Sequence, residues 1–154
     1  MLAAVSLLSN RPYLDWIMWA VCALSICGIA ISSLSLQRHY ATSKTAFCEI
    51  GETFDCDIVN RSEYSSIFGI PVALIGMLGY TALAWLATFY RNRSETPRWL
   101  FGGSAAGLAF ALYLTYVEGH ILGVWCILCL ISLGLIASIT LISGILWWSV
   151  KGSD

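Results

Sequence analysis

The chain is poor in charge. Lys, Arg, Asp and Glu make up 11% of its 154 residues, against roughly 25% in an average soluble domain. Eight Lys and Arg stand against nine Asp and Glu. No basic surplus is left to hold a phosphate backbone, which excludes nucleic-acid binding as a main role. High net charge with low hydrophobicity, the signature of disorder, is missing as well. What fills the chain instead is apolar: 58% of residues are hydrophobic and the mean hydropathy is +0.78. Four long uncharged stretches then leave one class, the polytopic membrane protein.

Those stretches run over residues 17–36, 67–90, 99–117 and 121–150, and none holds an Asp, Glu, Lys or Arg. Crossing a hydrocarbon core of roughly 30 Å takes about 20 helical residues. In lipid the backbone must satisfy its own polar groups, and strand alternation is absent, so the runs are helices. The expectation is an all-α membrane protein: one integral domain over 1–154, a four-transmembrane-helix bundle with a long outer loop at 37–66. A cleavable signal peptide is the alternative for the first run. Its uncharged core exceeds the roughly 7–15 residues of a secretory leader, and Asp15 stands where basic residues belong. The fourth run would reach about 45 Å at 1.5 Å per residue, so it must tilt, project or fray. Pro71 suits the first turn of the second helix. Gly103 with Gly107, and Gly76 with Gly79, read as small residues that let helices approach, without chemistry of their own.

Orientation comes from the cations. Arg11, Arg91, Arg93, Arg98 and Lys151 fall at one membrane face; Arg38, Lys44 and Arg61 are spread over the longer loop at the other. The positive-inside rule places both termini and the 91–98 turn in the cytoplasm. Trp16, Trp19, Tyr90, Trp99, Trp147 and Trp148 cluster at the same ends, as interface anchors do. The loop then faces outward, beside a short turn at Glu118 to His120. Interface polarity accounts for Glu118 and His120; a proton relay is the other reading.

Six cysteines form three pairs. Cys22 and Cys27 lie in the first helix, about 140° apart around its axis, too far for the Cβ spacing of a disulfide. They read as small packed hydrophobes. Cys126 and Cys129 share a helix face at i and i+3, just inside the fourth run. Counted from Ile121, they lie about 7.5 and 12 Å deep. A lipid-dissolved molecule can reach the deeper thiol; a water-soluble protein cannot. Cys48 and Cys56 lie in a loop longer than a plain connection needs, in an oxidising compartment. Either they form a static staple, or two dithiols at one face exchange electrons through a mixed disulfide. Zinc held by all four is a further alternative, set aside because one ligand pair would be buried in a membrane helix, so no metal is expected. A c-type haem needs His after the second Cys, where Leu130 stands.

The ordered set Cys48-x7-Cys56, then Ser66-Ile67-Phe68-Gly69 opening the second helix, then Cys126-x-x-Cys129 in the fourth resembles the vitamin K epoxide reductase family, especially its bacterial thiol oxidases. The resemblance runs from about Trp16 to Trp148. It implies Cys48, Cys56, Cys126 and Cys129 as the redox residues, with Cys129 meeting a quinone (ubiquinone or menaquinone). Ser65, Ser66 and Phe68 are the residues expected beside that quinone, with capping of the second helix the alternative for the two serines. Electrons would pass from a thioredoxin-like periplasmic or lumenal partner to Cys48/Cys56, then to Cys126/Cys129, then to the quinone pool of the membrane. The implied setting is the bacterial cytoplasmic membrane with the active site facing the periplasm. The chain stops at Asp154 without a thioredoxin-like domain, so the partner is expected to be separate.

Three features of the sequence bear on that resemblance. Vertebrate members carry Asn where Ser65 stands and Tyr where Leu133 stands, which favours quinone reduction over vitamin K epoxide reduction. Glu49, Asp55 and Asp57 surround the loop cysteines and disfavour a thiolate there, whereas the start of the fourth helix favours one at Cys126. Asn60-Arg61-Ser62 matches a glycosylation acceptor, which would matter only in a eukaryotic lumen. From another class, a non-catalytic membrane scaffold stiffened by disulfides would have little reason to set Cys126 and Cys129 at leaflet depth.

Overall fold

A computed structural model describes residues 12–41, 49–50 and 53–151. Cys48, Arg11 and Lys44 lie outside the described residues. Four long helices cross the molecule: α1 (Pro12–Tyr40), α3 (Val72–Phe89), α4 (Thr96–Val117) and α5 (Ile127–Lys151). All four are long and apolar enough to span a membrane. Each packs on two others in a closed ring, α1 on α3, α3 on α4, α4 on α5 and α5 on α1. This is the four-helix membrane bundle that the uncharged runs predict. The pairing of Asp15 with Arg91, 3.8 Å apart, joins the start of α1 to the turn after α3.

Between α1 and α3 the chain builds a small polar cap. It consists of the strand pair β1 (Glu49–Ile50) and β2 (Phe54–Asp55), the short helix α2 (Cys56–Arg61), a single 3-10 turn (Glu63–Ser65) and a hairpin of β3 (Ser66–Ile67) with β4 (Ile70–Pro71). Asp55 caps α2, its side chain accepting the Asp57 and Ile58 N–H groups at 2.9 and 3.0 Å.

Every span differs from its expected bounds. α1 covers Pro12–Tyr40 rather than 17–36. Proline suits a helix start, and Arg38 and His39 in the last turn complement its carbonyl end. α3 begins at Val72 rather than residue 67, because residues 66–71 turn back on themselves. Phe68 and Gly69 take φ of 52° and 80°, the left-handed pair of a two-residue hairpin. Ser65 and Ser66 therefore do not cap the second membrane helix; Pro71 precedes it.

α4 starts at Thr96 rather than residue 99, with Pro97 in its first turn, and it does not end in an exposed turn. A π-helical segment, Glu118–Leu122, continues it. The reversal comes at Gly123, whose φ of 66° is left-handed and suits glycine. α5 therefore starts at Ile127, not residue 121. The excess length of the fourth run is resolved: its first residues belong to the preceding span and to the turn. Cys126 precedes α5 instead of lying inside it, and the 7.5 Å depth counted from Ile121 does not hold.

The core is uneven along the bundle. Leu14, Met18, Val21, Leu83, Ala87, Leu100, Ile139 and Leu146 fill the end that holds the 91–95 turn. Toward the cap the packing opens into a cavity of about 470 Å³ between the four helices. The small residues do more than pack: Gly76, Gly79, Gly103 and Gly107 all line it. A Cβ on Gly79 would meet nothing within 4 Å, so its smallness widens the cavity.

Candidate functional site

The cap is fastened to the bundle by backbone pairing. Asp55 N–H donates to the Trp125 carbonyl at 3.1 Å, and Trp125 N–H donates to the Thr53 carbonyl at 2.9 Å. Phe54 and Trp125 thus form a parallel bridge. The Trp125 ring lies over Gly119, where a Cβ would fall 2.9 Å from ring carbons. Cys56 and Cys126 each come directly after this clamp in the chain. Both are fully buried, and they share one apolar cluster with Val59 and Leu128.

Cys56 is disulfide-bonded, while Cys126 and Cys129 are free thiols. The Cys126 thiol is held below its ordinary range, first by a hydrogen bond from the Cys129 side chain. The backbone N–H groups of Cys129 and Leu128, in the first turn of α5, act in the same sense; burial and the nearby Glu118 oppose them. The backbone contribution is the helix-start effect expected from the sequence; the Cys129 side chain contributes more.

Asn60 joins the two cysteine segments. Its side-chain N–H₂ donates to the Cys56 carbonyl at 2.8 Å and reaches the Cys126 sulfur at 3.7 Å. Buried and engaged in this way, Asn60 cannot serve as a glycosylation acceptor in the folded protein. The Asn60 carbonyl accepts from His39 Nδ1 at 2.6 Å. A carbonyl cannot donate, so Nδ1 carries the ring proton. Ser65 Oγ lies 3.3 Å from the same nitrogen and donates to the Ser62 carbonyl at 2.7 Å. His39 and Asn60 were legible only as a loop residue and a sequon, because their role depends on contacts made across the fold.

The expected site residues take different places. Cys129 and Ser65 line the cavity; Ser66 and Phe68 do not. Phe68 is fully exposed at the hairpin tip. Cys48 lies outside the described residues. Leu133 does not line the cavity. The wall also carries His39 and Asn60 at the cap end and Tyr80 deeper down, where the Tyr80 hydroxyl donates to the Ser132 carbonyl at 2.9 Å. Glu118 is displaced from its expected place at the interface. It is 2% exposed and lines the cavity, and its Oε2 accepts the Cys126 N–H at 3.1 Å.

Cys22 and Cys27 lie apart from all of this. The Cys22 sulfur faces Thr88 Oγ1 at 3.6 Å and Cys27 is exposed on α1. Cys22→Ala and Cys27→Ala are expected to keep thiol-oxidation rates within about twofold of the parent, since exposed or loosely packed small hydrophobes contribute little. Loss of activity at unchanged expression would give the first helix a redox role.

The sequence has known relatives. A model described as the Vitamin K epoxide reductase family matches residues 19–144. A curated relative, the thiol-disulfide oxidoreductase LTO1 of Arabidopsis thaliana, is 30% identical over 100 residues. That match takes in 59% of this chain and 26% of the relative, so the chain spans about a quarter of the relative's length.

Proposed function

Because this chain belongs to the vitamin K epoxide reductase family, we propose that it is a membrane thiol-disulfide oxidoreductase that passes electrons from an external dithiol protein to a lipid-soluble quinone. One observation carries the reading. Cys56 and Cys126 are buried side by side in one cluster under a backbone clamp, while Cys129, one helical turn on, faces the apolar cavity.

A thioredoxin-like partner would reduce the disulfide of Cys56, whose family counterpart for pairing is Cys48. The Cys56 thiolate would then attack the Cys126 sulfur of a Cys126–Cys129 disulfide. The Cys56–Cys126 bond forms, the Cys126–Cys129 bond breaks, and Cys129 leaves toward the cavity. The second loop thiol closes the loop disulfide again and frees Cys126. Asn60 holds the Cys126 sulfur and the Cys56 carbonyl at once, which keeps the two segments in register for exchange. Free thiols at Cys126 and Cys129 beside an oxidised Cys56 are the state in which the electrons have reached the deep pair.

The cavity fits a quinone. Its volume falls within the range of small-molecule sites, and apolar walls with a few polar atoms are typical of them. Ser65 and His39 make the cap end of the cavity its polar end, and the wall running down α3 past Tyr80 would take an apolar tail. A quinone, when bound, supplies the acceptor for two electrons and two protons.

Purified protein mixed with a reduced thioredoxin-like protein is expected to oxidise it only when quinone is added. Ubiquinone and menaquinone are compared separately to find the acceptor. With Ser65 in place of Asn and Leu133 in place of Tyr, vitamin K epoxide is expected to stay unreduced. Partner oxidation that ignores quinone would overturn the reading.

A further inference from the structure

We propose that Glu118 is a catalytic proton carrier for the deep thiol pair: as the neutral acid it takes the Cys129 proton on one carboxyl oxygen and releases its own into the cavity. The inference rests on the reading of Cys126 and Cys129 as a redox couple.

The carboxyl is placed for this and for little else. At 2% exposure it has left water, and neither ion pair found among the described residues includes it. An ionised carboxylate so placed would be costly, and a polar group buried this deeply is normally fully hydrogen-bonded. Glu118 is half satisfied. Its Oε2 accepts the Cys126 N–H, its carboxyl faces the Cys129 thiol, and Oε1 has no hydrogen-bond partner among the described residues. It sits in a π-helical turn, a distortion frequent at functional sites.

Other titratable groups on the cavity wall are engaged or remote from the sulfurs. His39 Nδ1 donates to Asn60, the Tyr80 hydroxyl donates to Ser132, and Tyr64 lies on the exposed 3-10 turn of the cap. A dithiol that becomes a disulfide gives up two electrons and two protons. Cys126 holds its proton weakly, while that of Cys129 is released beside the cavity that Glu118 also lines. In the proposed step the Cys129 S–H bond breaks and one carboxyl oxygen takes the proton. The other oxygen gives its proton to the acceptor, and the Cys126 proton passes to the acceptor as well. The Cys126–Cys129 bond forms as the sulfur pair gives the acceptor two electrons, and the carboxyl ends neutral as it began.

Diamide, which takes up two electrons and two protons, serves as the acceptor in protein freed of quinone. Forming the Cys126–Cys129 disulfide with diamide is expected to be on the order of a hundredfold slower in Glu118→Gln, the size of a general acid–base contribution. Glu118→Asp keeps an acid and should recover part of the rate. Independently of rate, the infrared spectrum of the parent should show a carboxylic-acid C=O band that shifts when the pair is oxidised, because its Cys129 partner is lost, and that is missing in Glu118→Gln. No shifting acid band in the parent, or an unchanged diamide rate in Glu118→Gln, overturns the proposal. The parent spectrum decides even if the variant fails to fold. Failure of the redox reading itself shows elsewhere, as the absence of any Cys56–Cys126 bond in Cys129→Ser.

Discussion

Cys129→Ser is expected to accumulate a covalent Cys56–Cys126 bond and to lose thiol oxidation by several orders of magnitude, as removal of a nucleophile does in other enzymes. In the proposed relay Cys126 is the exchanging sulfur, and a hydrogen bond from the Cys129 side chain holds its thiol below its ordinary range, which favours the attacking thiolate. Cys56, already in a disulfide, is the sulfur it shares a cluster with. With Cys129 present, any mixed disulfide is resolved by the adjacent thiol. With serine there, the resolving group is gone and the intermediate persists. Trapped and untrapped forms separate on non-reducing gels after alkylation. Adding Cys48→Ser removes the other resolving thiol but leaves Cys56 and Cys126 as lone thiols, so in that double variant the bond should form only when an oxidant such as diamide is supplied. If neither variant yields the bond, the two couples do not communicate.

The second large effect is mechanical. Gly28 lies under the Tyr80 ring, and a Cβ added there would fall 2.5 Å from ring carbons. The ring cannot yield cheaply, because it is buried and its hydroxyl is tied to Ser132 on α5. Gly28→Val is expected to cost about 1–3 kcal/mol, the range of overpacked cores, and to push Tyr80 toward the cavity. Thermal unfolding in detergent measures the loss. Combining it with Tyr80→Ala supplies the missing space, so the double variant should lose less than the sum of the two single changes. Strict additivity would mean that the contact between α1 and α3 is not tight.

Part of this protein could be read from the chain alone. An uncharged run of membrane length is a local property, since lipid penalises every charge wherever the rest of the chain goes. The four spans and the isolation of Cys22 from Cys27 come from it. Ends of spans were less legible. Ile121 and Leu122 are as apolar as the residues of α5, and only Gly123 marks the break between them. Residues 67–70 look like the start of a helix, until Phe68 and Gly69 turn them into a hairpin.

The site was half legible. Cysteine spacing pointed to two couples at one face, but spacing cannot bring sequence-distant segments together. That step is made by the pairing of Thr53 and Asp55 with Trp125 and by Asn60, which reaches the Cys126 sulfur 66 positions away. Nothing local marks Asn60 for this, and its neighbours suggested a sugar instead. Glu118 shows the same limit: beside an apolar run, an acid destined for the interface and one destined for the interior look alike.

The sequence by itself determined the solvent this protein lives in, its four crossings and the chemistry available to it, because hydropathy and thiols act residue by residue. Only the tertiary structure decided that Cys56 and Cys126 share one buried cluster, that Cys129 borders a cavity, and that Glu118 is buried and borders it too. Those outcomes depend on hydrogen bonds and packing between distant segments, and such contacts exist only once the helices and the cap have closed on one another.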